Sequence, residues 1–487
     1  MLAAMPTAPG PRDAGAIPPS RDRGDACPGT LRLHAADDGA LARVRIPAGA
    51  LTTGQALALW DAAQRLGDGS LHLTSRGNVQ LRGLGEGCGG ELADVLAAAG
   101  LLPSPRHERV RNVVASPLSG LDGRGEADVR PWARELDRLL CASEAATGLS
   151  GRFLFALDDG RGDVAALGAD VTVQAVGAAD AVLRLGSDDA GVSVRGEDAP
   201  RASLLAAEAF LDAARGSGTR CWRVSELPGS TAELTTEVAS RLAADGISGK
   251  LVTTPLTTVG DPPPPGAVTG ADGRTTALSV VAPLGVLTAA QWHELAAVAE
   301  HDGNGELRLT PWRGVILPGV EAAAALESAG LITSPDSPWL GVGACIGRPG
   351  CAKSLADVRA DAAKALGGVF RIRPDQGAGS GACDRKAEEG ADAERRRLTT
   401  TQRACVPGHA SPARSERHPL SPGPSSLPVY WSGCERRCGH PHGDWVDIVA
   451  TADGYDVRVH GDEPSTGMPP SELAAIVAAA RTSAVTR

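Results

Sequence analysis

Cysteines in two distant stretches carry the clearest chemistry in this chain. Cys345 and Cys351 are spaced C-x5-C, and Cys434 and Cys438 are spaced C-x3-C. Soft thiolates suit iron–sulfur clusters or zinc, and this set matches the ligand count of a 4Fe-4S cube. Zinc fits less well, because its paired ligands usually stand closer together than a C-x5-C arm allows; unrelated thiols are the third reading. Glycines flank these cysteines, letting the backbone pass close to a bulky inorganic core. From Ala352 to Arg359 the chain reads as a helix opening whose free N–H groups would face an anionic cluster. Arg348, Lys353, Arg436 and Arg437 add positive charge nearby; each reads equally well as ordinary surface charge.

The elements that must position these residues come in two copies. Pro47, Gly49, Leu51, Thr52, Gln55, Gly69, Leu71, Leu73, Thr74 and Gly83 recur as Pro283, Gly285, Leu287, Thr288, Gln291, Gly305, Leu307, Leu309, Thr310 and Gly319. Further on, Ala127-Asp128-Val129-Arg130 stands against Ala356-Asp357-Val358-Arg359, and Ser150-Gly151-Arg152 against Ser432-Gly433-Cys434. Within the first copy, Thr30–His34 and Leu41–Ile46 read as strands, the latter alternating as a half-buried strand does. A helix follows, capped by Thr52 or Thr53, and then a strand, a turn over Ser75, Arg76 and Asn78, and a second strand. Ala202–Ala214 reads as a helix, and Ser471–Arg481 as the one that closes the chain.

The expected architecture is therefore α+β and duplicated, with pseudo-twofold related halves over 27–255 and 275–487. A tail over 1–26 precedes them, and a Pro-rich linker over 256–274, containing Asp261-Pro262-Pro263-Pro264-Pro265-Gly266, joins them. Residues 374–427 are rich in Pro, Ser, Gly, Ala and Arg and read as a disordered insertion, which makes Cys383 and Cys405 incidental thiols. Only the second copy holds the paired cysteines; the first has arginines, so one half would hold a metal centre and the other would face it with cations. Arg76, Arg82, Arg111, Arg152 and Arg313 are the candidates. Guanidinium forks bind carboxylates bidentately, which points to a ligand with several carboxylates. A surface arginine with its stem packed on a strand is the plainer reading of each.

Composition agrees with a soluble enzyme. Hydrophobic residues make up 42% and charged ones 22% of 487 residues, and the net charge of -10 argues against nucleic acid or a membrane surface as general partners. No apolar run is long enough for a signal peptide or a membrane span, and the scarce cysteines suit a reducing compartment, so the cytoplasm is expected.

The turn Thr74-Ser75-Arg76-Gly77-Asn78-Val79-Gln80, the C-x5-C and C-x3-C pairs and the duplication together resemble the nitrite/sulfite reductase superfamily. The opening Ala26-Cys27-Pro28-Gly29 and the ending Cys438-Gly439-His440-Pro441 most resemble its precorrin-3B synthase family. The resemblance implies ferredoxin-like half-domains, each joined to a mixed α/β domain, and a 4Fe-4S cluster on Cys345, Cys351, Cys434 and Cys438. It also implies tetrapyrrole or anion contacts at Arg76, Arg111 and Arg152. Where the reductases carry a second basic residue after the Arg152 position, this chain has Leu154, which disfavours sulfite or nitrite reduction with siroheme, the alternative activity. The family's reaction is an oxygen-dependent hydroxylation of precorrin-3A with lactone formation in aerobic cobalamin biosynthesis. It implies a polycarboxylate tetrapyrrole substrate, dioxygen, a mononuclear non-haem iron and NADH as the ultimate donor. Because no dinucleotide fingerprint is present, a separate reductase would deliver the electrons. His440-x-His442 and His72 are candidate ligands of the second iron.

Overall fold

The structure is a computed structural model that describes residues 25, 27–253, 257–258, 260–367, 427–441, 444–459, 465–475 and 477. The expected tail falls outside these residues except for Asp25, and so does the expected insertion, with Cys383 and Cys405, except for Leu427.

The first half opens with β1 (His34–Ala36), β2 (Gly39–Val44), β3 (Ala50–Thr52), α1 (Thr53–Leu66), β4 (Ser70–Leu73), β5 (Val79–Leu84) and α2 (Gly89–Ala98). Thr30–Leu33 is not a strand, a departure from the expected Thr30–His34. The Glu108 carboxylate takes the Thr30 and Leu31 N–H groups, which a ladder would need. An α/β unit follows with β6 (Val113–Ala115), α3 (Arg130–Ala142), β7 (Phe155–Asp158), β8 (Val171–Ala175), β9 (Asp180–Leu185), β10 (Gly191–Arg195), α4 (Ala199–Gly216), α5 (Thr231–Ala244) and β11 (Lys250–Val252). The second half repeats the plan. It has β12 (Gly266–Thr269), β13 (Thr275–Val281), β14 (Val286–Thr288), α6 (Ala289–His301), β15 (Glu306–Leu309), β16 (Gly314–Pro318) and α7 (Ala324–Ser328). Its α/β unit has β17 (Val342–Ala344), α8 (Val358–Ala365), β18 (Val429–Ser432), β19 (Val446–Thr451), β20 (Gly454–Val459) and β21 (Ser465–Met468). Strand β12 lies inside the stretch expected as linker: the prolines end at Pro265, and Gly266–Thr269 is free to pair with β13.

The halves are interlocked at their ferredoxin-like sheets, whose orders are β1-β2-β5-β4-β14 and β12-β13-β16-β15-β3. Each half thus lends its short strand to the other's sheet, Leu287 opposite Leu71 and Leu51 opposite Leu307. Behind the sheets α1 packs on α6, and the buried Trp292 donates its indole N–H to Ala56 O at 2.7 Å. Both helices begin with the same capping box, Thr52 with Gln55 and Thr288 with Gln291. The duplication extends to backbone strain: Ala48 and Leu284 occupy the left-handed region at φ 56° and 53°, a conformation costing a non-glycine residue about 1–2 kcal/mol.

One face of each sheet fills this shared core. The other face of the second sheet, with Ala277 and Ile316, packs on Leu118 of the first α/β unit, and Arg308 donates to Pro117 O and Ser119 O, each at 2.9 Å. By the pseudo-symmetry, the corresponding face of the first sheet meets the second α/β unit, where the cysteines are. Contacts from Ala352 N to Asp37 Oδ2 at 2.7 Å and from Arg82 Nη2 to Gly350 O at 3.5 Å join the two.

Candidate functional site

Parallel pairing of β17 with β18, Ala344 opposite Trp431, brings the ends of both strands to one edge of the sheet. Loops leaving such an edge are where α/β sheets gather ligands. Cys345 follows β17 directly and Cys434 lies just past β18. Cys345 N donates to Trp431 O at 2.9 Å, Gly433 N to Cys345 Sγ at 3.1 Å, and Leu355 N to Gly433 O at 2.7 Å. A Cβ on Gly433 would overlap Ser354 Oγ, so only glycine lets the loops approach this closely. Tyr430 donates its hydroxyl to Cys438 O at 2.5 Å, pinning the second loop.

These loops bring all four thiols into mutual reach. Burial and then the charges of Cys345, Cys434 and Cys351 push the Cys438 thiol up. Burial raises Cys345 as well, against hydrogen bonds from the Gly433 and Gly347 N–H groups. Among the described residues no group of three or more His, Cys, Asp or Glu side chains is gathered tightly enough for a single metal ion. Half-buried thiols on neighbouring loops offer the soft donors, in the number, that a polynuclear iron–sulfur core takes. Cys345, Cys351, Cys434 and Cys438 would hold it.

The expected helix opening after Cys351 does not form there. Ser354 N turns back to Cys351 O and Leu355 N is taken by Gly433, while Asp357 caps α8 by accepting from Ala360 N at 3.1 Å, so helix begins only at Val358. The helix dipole is therefore not the source of positive potential beside the cysteines. Among the basic residues expected there, Arg437 is paired with Asp447 at 2.5 Å and Arg348 Nε donates to Ser354 O at 2.7 Å. Arg436 lowers the Cys438 thiol against its other neighbours, and Arg359 of α8 reaches Cys345, its Nε donating to Cys345 O at 3.1 Å. Arg313 contributes a further cation: it sits at φ 63°, the position of Gly77 (φ 64°) in the first copy, and its guanidinium passes beside Gly343 and lowers the Tyr430 phenol that burial otherwise raises.

The face of the first sheet turned away from the core carries further arginines, set among first-half residues. Strand alternation sends Ala42, Val44 and Ile46 into the core and Arg43 and Arg45 to the other side. Arg45 is 2% exposed; its Nε reaches Arg109 O at 3.3 Å and both terminal nitrogens have no partner. Arg43 Nε is equally unpaired, with Nη2 on Gln80 at 3.3 Å. Arg76, on the turn between β4 and β5, donates to Gly151 O at 3.3 Å. Burial and then Arg43 pull Arg45 down to about 9, and burial followed by Arg223 and Arg43 pulls Arg76 down to about 10. Guanidinium holds its proton at neutral pH, so these depressions measure a buried positive charge that an anionic ligand would relieve. Reading the sequence alone missed Arg43 and Arg45, although the Arg-x-Arg alternation in Leu41–Ile46 was the available signal.

Two segments of the chain, residues 34–99 and 269–328, match the family described as the nitrite/sulfite reductase ferredoxin-like half domain. Both halves therefore carry a segment similar to the nitrite/sulfite reductase ferredoxin-like half domain. A precorrin-3B synthase from Sinorhizobium sp is 26% identical over 473 residues, covering 94% of this chain and 86% of that protein. A ferredoxin–nitrite reductase from Synechococcus elongatus is 38% identical over 127 residues, 25% of each chain. The solved structure of the Mycobacterium tuberculosis NirA protein shares the fold, with a TM-score of 0.61 at 16% identity over 90% of this chain and 79% of that one.

Against this background the remaining expected site residues separate. Arg111, matched to a ligand-gripping position, is instead fixed by Asp137 through two 2.7 Å bonds and by Leu101 O at 3.0 Å. That correction follows from α3, which sets Asp137 against the guanidinium and leaves it little capacity for a ligand. Arg111→Ala is expected to cost about 3–5 kcal/mol by stranding Asp137, seen as a lower denaturation midpoint. Arg152 Cζ sits over the Trp222 ring, 4.7 Å from its centroid. Arg82 is held bidentately by Asp38 at 2.8 and 2.7 Å. Leu154 packs with Val114, Ala156 and Val164, in an apolar cluster that would not welcome the second cation of the reductases.

The histidines proposed as iron ligands are placed as follows. His72 Nε2 meets Ser70 Oγ at 3.0 Å, and burial, Arg359 and Arg82 hold its pKa well below the usual value. It is a neutral ring among cations, a poor position for a metal ion. His440 stacks on Trp445 with Nδ1 on Pro441 O at 2.8 Å, and His442 lies outside the described residues.

Proposed function

We propose that this chain is a precorrin-3B synthase, hydroxylating precorrin-3A with dioxygen, and that Cys345, Cys351, Cys434 and Cys438 hold a 4Fe-4S cluster. The observation that carries the reading is the pairing of four convergent thiols with a buried arginine face whose guanidinium nitrogens lack partners. A ligand with several carboxylates suits that face, and the precorrin-3B synthase relative extends over nearly the whole chain.

Insertion of one oxygen atom, the other leaving as water, consumes two electrons and two protons. The cluster, when bound, supplies single electrons. Arg43, Arg45 and Arg76 bind substrate carboxylates, and Arg152, over the Trp222 ring, adds a further contact. A mononuclear non-haem iron, if bound, would supply dioxygen activation; among the described residues no group of three or more His, Cys, Asp or Glu fits it. Electrons originate in NADH and arrive through a separate reductase, in the cytoplasm; no helix among the described residues is long and apolar enough to cross a membrane.

A siroheme-dependent sulfite or nitrite reductase is the second reading, favoured by the 38% identity to a nitrite reductase over part of the chain. One anaerobic preparation separates the two. Cluster absorption without siroheme bands, together with oxygen-dependent conversion of precorrin-3A, is expected. Siroheme bands with sulfite or nitrite turnover would replace our reading, and NADH oxidation by the chain alone at the rate of product formation would remove the reductase.

A further inference from the structure

The two copies of the fold treat one arginine differently. In the first copy Arg130, at the start of α3, is held by Asp128 through bonds of 2.9 and 2.6 Å and lies 3.8 Å from Glu306, which also binds Arg308 at 2.8 Å. This cation has its carboxylates and serves to join the domains. The equivalent group in the second copy is Arg359, at the start of α8. Of its matching acids one is replaced and one is used elsewhere: Ser70 stands where the repeat has Glu306, and Asp357, the counterpart of Asp128, caps α8.

Arg359 is nevertheless just 7% exposed. Its Nε bonds the carbonyl of Cys345 and its Nη1 has no partner. The charges that act on it most strongly are Arg82, Cys345, Tyr430 and Arg313, and among the described residues it forms no salt bridge. A buried guanidinium without an anion is unfavourable unless something supplies the missing negative charge. The thiolates beside it do so.

We infer that Arg359 is a positioning residue, the fixed counter-charge of the four-thiolate centre, and that it raises the centre's reduction potential. The inference rests on the cluster reading above. Adding one electron from an external reductant transfers no atom and makes the centre one charge more negative. A permanent cation held against the Cys345 carbonyl therefore favours the reduced form, since net charge and local dipoles set such potentials.

The test is a dithionite titration, followed by EPR and visible absorption, of the anaerobically reconstituted full chain. Wild type, Arg359→Gln, Arg359→Lys and Arg130→Gln are compared, with iron and sulfide counted in each. Arg359→Gln is expected to keep its iron and sulfide and to shift the reduced/oxidised ratio at a fixed potential at least tenfold toward oxidised, 59 mV for one electron. Arg359→Lys should recover most of that shift, and Arg130→Gln should show none. An unchanged potential in Arg359→Gln overturns the inference, as does an equal shift in Arg130→Gln or loss of the cluster in both Arg359 variants. Absence of iron and sulfide from the wild type would instead overturn the cluster reading itself.

Discussion

A Cys434→Ser chain is expected to lose its acid-labile sulfide and its broad visible absorption after anaerobic reconstitution, and its turnover to the detection limit. The loop that carries Cys434 is fixed by the Gly433 N to Cys345 Sγ bond and by Leu355 on Gly433, independently of the Cys434 sulfur itself. Serine therefore leaves the fold in place and substitutes a hard oxygen for a soft ligand. Cys141, a free thiol on α3, is the control: Cys141→Ser should retain sulfide, colour and activity. Full sulfide content in Cys434→Ser would remove Cys434 from the ligand set.

Arg45→Ala and Arg76→Ala, combined, should separate binding from stability. Each charge-assisted contact is worth about 1.5–3 kcal/mol, so the pair should weaken an octacarboxylate porphyrin probe by roughly a hundredfold or more. Neither guanidinium is in a salt bridge among the described residues, and removing them relieves a desolvation that outweighs the Asp25 and Asp170 charges nearby, so the melting temperature of the ligand-free variant should hold or rise. A residue kept for structure behaves as expected of Arg111, with stability lost. Unchanged affinity in a variant that melts normally would exclude Arg45 and Arg76 from the substrate site.

Much of the architecture could be read from the sequence because duplication leaves a register. The constant spacing between Thr52 and Thr288, or Leu71 and Leu307, reports capping and core positions that physics demands twice. The resemblance carried on the Thr74–Gln80 turn and the cysteine spacings added the fold that the structure has. The exchange of β3 and β14 between sheets was not legible, since short strands carry no mark of which sheet completes them. Arg111 and Arg45 show the same limit in side chains. Both are arginines in the first half, yet one is held bidentately by Asp137 of α3 and the other leaves both terminal nitrogens without a hydrogen-bond partner among the described residues.

The sequence by itself determined the duplicated α+β plan, the cysteines available for a cluster and the arginine bias of the first half, because spacing, periodicity and composition are local properties. Only the tertiary structure decided which arginines are unpaired, that helix begins at Val358 rather than beside Cys351, and that Arg359 stands against Cys345. Each of these depends on which carboxylate or carbonyl the fold brings alongside, and distance in space is not written in distance along the chain.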